Sequence, residues 1–212
     1  MSSDPRSDAP SPGPEPSAEG AGPDPEASSD AELIRARGAD LLAALESRLP
    51  GSQAHAEATA SWALAISAEL GLARETALAV RETARLHAIG LLYVDAQLAG
   101  RRESELAEDE RAALDAQAEA AARLAAGAGL PSAACVWLEH WRERFEGGGP
   151  KRLYGGAIPL ESRIIRAACA YAAEVAADPD PHTALERLGE QADSELDPAT
   201  IGAIAFALDR EG

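Results

Sequence analysis

The sequence predicts an all-α protein, a helical bundle preceded by a disordered N-terminal tail, and three observations carry that prediction. No segment alternates apolar and polar residues with β-branched enrichment, while alanine, the strongest helix former, recurs throughout. Apolar side chains repeat at helical spacing between glycine and proline stops. The first thirty residues, by contrast, are proline, serine, glycine and acid with almost no apolar side chains. Such a stretch cannot bury enough surface to offset its ordering entropy. The division expected is therefore a tail over 1–30 and one helical domain over 31–212.

Each element follows in turn. Asp30 is placed to cap a first helix running to Leu49, with Leu33, Ile34, Leu41, Leu42, Leu45 and Leu49 mostly on one stripe, and Pro50-Gly51 to end it. A second helix is expected over about 53–70, closed by Gly71, and a third over about 74–89, closed by Gly90. After a charged loop, Glu108 to Ala126 reads as one long helix. Pro131 opens the next, through Phe145, at a first-turn position where its missing N–H costs nothing. "EGGGPKRLYGGAIP", Glu146 to Pro159, holds five glycines and two prolines in fourteen residues and must be a loop. A strongly apolar helix follows from Leu160, then shorter ones near 182–192 and 198–209, the last capped by Asp197 before Pro198.

Charge and composition narrow the function. With 19 Lys and Arg against 36 Asp and Glu, the net charge of -17 argues against DNA or RNA as partner, because phosphate neutralisation needs clustered cations. No apolar run is long enough to span a membrane, and the start has no secretory core region. Two widely separated cysteines, Cys135 and Cys169, make no disulfide framework. A cytoplasmic setting is expected.

"ALESRLPGSQAH", Ala44 to His55, is followed thirty-two residues later by His87 in "HAIG", and further on by "RERFEGGGP" and "YGGAIPLESRIIRAACAY". In order and spacing these segments resemble the HD-GYP branch of the HD-domain phosphohydrolases, over about residues 33–210. The resemblance implies an HD-domain-like bundle. It also implies a centre of two or three metals that hydrolyses a phosphodiester, usually cyclic di-GMP, with an aspartate bridging the metals and a bridging water attacking phosphorus.

The residues that would carry this chemistry are mostly replaced. His55 and His87 remain. The bridging aspartate falls on Ala88, which has no donor atom, and the phosphate-binding lysine on Leu91. A histidine of the next helix falls on Gln117, paired histidines before the glycine loop fall on Trp141 and Arg142, and a late aspartate falls on Cys169. His140 stands one residue away, a shift that turns a helical side chain by about 100°. The loop lacks the tyrosine of the family's turn and reads Gly147-Gly148-Gly149-Pro150.

The expectation is thus a catalytically degenerate signalling or regulatory module, binding no metal and acting through a protein partner or as a homodimer. Two alternatives stay open. An altered-site phosphodiesterase would use zinc, iron or manganese, and a remnant site of His55, His87 and Cys169 makes a workable three-ligand zinc set. A cyclic dinucleotide receptor would bind without cleaving, using Arg144, Lys151, Arg152 and Arg163 around the glycine loop. Trp137, Trp141 and Phe145 share a helical stripe, expected to be core, and His182 is expected on the surface.

Overall fold

The computed structural model describes residues 25–99, 101 and 106–211. Of the tail expected over 1–30, residues 1–24 lie outside the described residues, as does part of the charged loop, while residues 25–30 are helical. Among these residues no strand forms; one isolated bridge pairs Ala192 with Leu196.

Helix α1 spans Pro25–Arg48. It therefore starts before Asp30, which is an interior residue and not its cap. Proline is pre-organised for a first helical turn, and nothing between it and Asp30 breaks the helix. Ala31, Ile34 and Leu45 are buried along one stripe. Gly38 lies on the same stripe, where a Cβ would stand 2.8 Å from Cδ2 of Leu86, so its bareness lets α1 lie against the end of α3. Glu46 then organises the corner: its carboxylate accepts from the amides of Gly51 at 2.9 Å and Gln53 at 2.8 Å. It thereby satisfies amides at the start of α2, Ser52–Glu69, which its own first residues leave open.

The buried face of α2 is Ala56, Thr59, Ala60, Ala63, Ile66 and Ser67. These mostly small residues allow α3 (Arg74–Arg85) and α8 (Leu160–Ala177) to pack closely on it. α3 ends at Arg85, earlier than expected. The chain tightens into i→i+3 bonds, His87 N to Ala84 O at 3.2 Å and Leu91 N to Ala88 O at 2.9 Å, and a 3-10 turn over Ile89–Tyr93. α4 is a short turn, Ala96–Ala99.

The expected helix over 108–126 is divided at Ala116 into α5, Glu108–Asp115, and α6, Gln117–Gly127. α7, Ser132–His140, also stops short of Phe145. The cause is legible in the pairs beyond it. Arg142 and Arg144 both reach Asp115. Residues two apart point to one side in extended backbone and to different sides in a helix, so the helix must end before them. Phe145 consequently leaves the expected aromatic stripe. Trp141 is buried and Trp137 packs at the core's edge.

α8 is the central helix. Ile164, Ile165, Ala167, Ala168 and Tyr171 are fully buried, and Trp62 meets the Tyr171 ring edge-on with centroids 4.5 Å apart. α9, Pro181–Gly189, is capped by Asp180, and His182 is exposed at its start as expected. α10, Pro198–Glu211, closes the bundle, with the Asp197 carboxylate accepting from the amide of Ala199 at 2.9 Å.

Candidate metal centre

Three elements meet where α2, the turn after α3 and the middle of α8 face one another. They bring together His55, His87 and Cys169, whose ligand atoms all lie within 4.8 Å of one another. Sγ of Cys169 is 3.5 Å from Nε2 of His55 and 3.4 Å from Nε2 of His87. The imidazole rings stand edge to face, centroids 5.3 Å apart. Among the described residues this is the one such group of His, Cys, Asp or Glu. The sequence expectation of no metal therefore finds no support here, since a donor set able to hold one is assembled.

His87 is the anchor. It is 2% exposed, and Nδ1 lies 2.7 Å from the carbonyl oxygen of Ala84. That contact makes Nδ1 the protonated nitrogen and turns the Nε2 lone pair toward the sulfur. Burial, reinforced by the nearby Arg142 guanidinium, pushes its pKa down to about 4, against the Ala84 contact. At neutral pH the ring is the neutral form that can ligate. Its face is closed by Trp141, edge-on at 5.0 Å between centroids. His55 and Cys169 are half-buried.

The other positions named by the sequence resemblance do not join them. Ala88 is 8% exposed and offers only a methyl group. Leu91 packs with Val94, Leu106 and Leu114. Gln117 is buried with Oε1 unpartnered. His140, at the end of α7, stays outside the group, its Nδ1 buried without a partner. Trp141 and Arg142 fill the space beside His87, the guanidinium 5.2 Å over the indole. A centre of two or three metals does not fit these residues. Its bridging carboxylate is a methyl group, and a guanidinium and an indole occupy the paired-histidine positions.

Three of the four cations proposed for a phosphate site are held in ion pairs. Arg144 bonds Asp115 at 3.1 Å and Glu195 at 3.2 Å; Lys151 bonds Glu139 at 3.1 Å; Arg163 bonds Asp197. Arg152 is exposed, in left-handed backbone. The loop also has an anion of its own. Buried Glu143 accepts from the amides of Lys151 at 2.6 Å and Leu153 at 3.1 Å. Asp115 and Glu195 were not singled out by sequence reasoning, because their partners are distant in the chain and no local pattern marks them; Asp197 was expected only as a helix cap.

Arg163 also donates from Nε to the Ile158 carbonyl at 3.0 Å, tying the exit of the glycine loop to the start of α10. Arg163→Ala should cost about 2 kcal/mol, the scale of hydrogen bonds to charged partners. A thermal melt should fall by roughly 4–8 °C. An unchanged midpoint would mean that the loop and α10 are held by other contacts.

Comparison with known proteins agrees with this architecture. Residues 41–200 match the HD domain family model. The cyclic di-GMP phosphodiesterase PdeB of Borreliella burgdorferi is 31% identical over 120 residues, which are 56% of this chain and 31% of that enzyme. Among solved structures, Bd1817, an HDG"Y"P protein of Bdellovibrio bacteriovorus, superposes with a TM-score of 0.65 at 14% identity, covering 86% of this chain and 61% of that one. A cyclic GMP-AMP specific phosphodiesterase of V. cholerae gives 0.63 at 19% identity over 85% and 49%. The PgpH HD domain of L. monocytogenes in complex with cyclic di-AMP gives 0.56 at 16% identity over 81% and 94%. The chain thus spans about a third of the length of PdeB and about half to three fifths of the first two structural relatives. No helix among the described residues is long and apolar enough to cross a membrane.

Proposed function

We propose, for a chain that belongs to the HD-domain family and resembles its cyclic-dinucleotide phosphodiesterases, a regulatory role without phosphodiester hydrolysis. The observation that carries this reading is the replacement of metal ligands by space-filling and cationic groups around His87. Hydrolysis by two metals requires a clamp on both the attacking and the leaving oxygen. Ala88 supplies no bridge between two ions. Asp115, two residues before the Gln117 position, has one oxygen bonded to Arg142 and the other to Arg144. Arg142, paired with Asp115, and Trp141 fill the space beside His87 where the ligands of a second ion would have to stand.

The module acts through contacts with protein, a second copy of the chain included. Tyr93 at the end of the 3-10 turn, Tyr154 on the glycine loop and Phe206 on α10 are exposed aromatic side chains suited to anchor such contacts. In the cytoplasm a cyclic dinucleotide is the natural small-molecule input to test.

The test is turnover. The full chain, reconstituted anaerobically with Fe²⁺ or Mn²⁺, is incubated with cyclic di-GMP, cyclic di-AMP and cyclic GMP-AMP, and products are separated by chromatography. The expected result is no linear dinucleotide or mononucleotide above the buffer control. Protein-dependent appearance of either product would sink the reading.

A further inference from the structure

We propose that His55, His87 and Cys169 bind a single zinc ion, held by three protein ligands with the fourth position left to water. This stands apart from the hydrolysis question: a chain without turnover can hold zinc, and a chain with turnover can lack it.

Two of the three separations are those of a shared tetrahedral ion, and the two imidazole nitrogens, within 4.8 Å of each other, close on the metal as it binds. With Zn–S of about 2.3 Å and Zn–N of about 2.0–2.1 Å, tetrahedral angles place sulfur and nitrogen about 3.5 Å apart. The two S···N separations are 3.5 and 3.4 Å. The ligands come from α2, from the turn after α3 and from α8, so no local segment has to fold around the metal. The second shell is also built. The Ala84 carbonyl fixes His87 with Nε2 facing the sulfur, and Trp141 seats the ring from the side.

Without metal the three groups can still satisfy one another. The thiol donates to His87 Nε2, and His55 Nε2–H donates to the sulfur. Zinc binding changes those protons. The S–H bond breaks and a proton leaves to solvent, His55 moves its N–H to Nδ1, and three lone pairs converge on the ion. Nothing is oxidised or reduced.

The donor chemistry selects the metal. A thiolate and two imidazoles suit zinc, whereas manganese and magnesium favour carboxylate and water. No carboxylate belongs to the group. His55 and Cys169 are half-buried, so the open coordination position lies toward solvent. Binding would pin three helical elements to one point, coupling zinc occupancy to the rigidity of the bundle.

The full chain is stripped with chelator under reducing conditions, then titrated with Zn²⁺ and, separately, Co²⁺. One zinc per chain should survive desalting. Cobalt should produce a thiolate-to-metal charge-transfer band and the visible bands of a tetrahedral ion. Zinc at about a hundredfold its Kd should raise the thermal midpoint by about 5–10 °C. Cys169→Ser should lose the band and the rise in midpoint, and Cys135→Ser should keep both. His55→Gln, at a half-exposed position, should weaken zinc binding at least tenfold, and decides the matter if Cys169→Ser does not fold. Absence of bound zinc at saturation, a stoichiometry of two or more, or a charge-transfer band indifferent to Cys169 and His55 would each overturn the proposal.

Discussion

Gly90→Ala should lower the thermal midpoint by roughly 6–12 °C, about 3 kcal/mol, the upper end of ordinary overpacking losses. A Cβ at Gly90 would stand 1.9 Å from the carbonyl oxygen of Gln117, 2.7 Å from its carbon and 3.0 Å from the amide nitrogen of Ala121. All three are backbone atoms at the start of α6, so no rotamer change relieves the clash. Either the 3-10 turn retreats or α6 shifts. The turn begins two residues after His87, so its retreat should also draw that ring away from Cys169. The midpoint and the cobalt spectrum are therefore expected to fall together. Gly127→Ala is the control: nothing lies within 4 Å of a Cβ there, and the midpoint should hold or rise slightly. A Gly90→Ala loss below about 1 kcal/mol would mean that the turn floats on α6 instead of pressing against it.

This contact also marks the limit of what could be read from the chain alone. Glycine and proline stops located most helices, because those residues act locally on backbone freedom. The break at Ala116 carries no such mark. Ala116 keeps right-handed helical backbone, and the division lies beside the close approach of Gly90, remote in sequence. The early end of α7 is similar. "HWRERF" has every local propensity for helix, yet the chain leaves the helix into a turn where Arg142 and Arg144 both reach Asp115.

The trio His55, His87 and Cys169 was legible, because the spacing of two histidines and a recognisable helix after the glycine loop set the register. What fills the space around it was not. That Trp141 would close the face of His87, and that Glu143 would occupy amides of the glycine loop, depends on tertiary contacts no periodicity encodes. The same holds for Arg144 and Arg163. As residues near a glycine-rich loop they suggest an anion site, and their carboxylate partners, Asp115, Glu195 and Asp197, come from other parts of the chain.

Asp115→Ala should be the most damaging single charge removal in the domain, costing about 3–5 kcal/mol, as expected when one member of a buried ion pair is deleted. The carboxylate accepts from Arg142 Nε at 2.8 Å and Arg144 at 3.1 Å, and both arginines are nearly buried, with side chains 5% and 8% exposed. Arg144 retains Glu195 and the Gly148 carbonyl, so its charge stays partly paired in that variant. Arg142→Met should cost less than half as much, because it removes the cation, keeps most of the volume and leaves Asp115 bonded to Arg144. Combining the two changes should recover part of the Asp115→Ala loss, with a coupling of about 1–3 kcal/mol in a double-mutant cycle. The same network bears on His87, whose basicity is depressed chiefly by burial and further by Arg142. Asp115→Ala should weaken cobalt binding, and Arg142→Met should strengthen it. Additive losses in denaturant titrations would separate the two arginines from Asp115 energetically. Metal affinities that ignore Arg142 would detach the ion-pair network from the His–His–Cys group and leave it as scaffold alone.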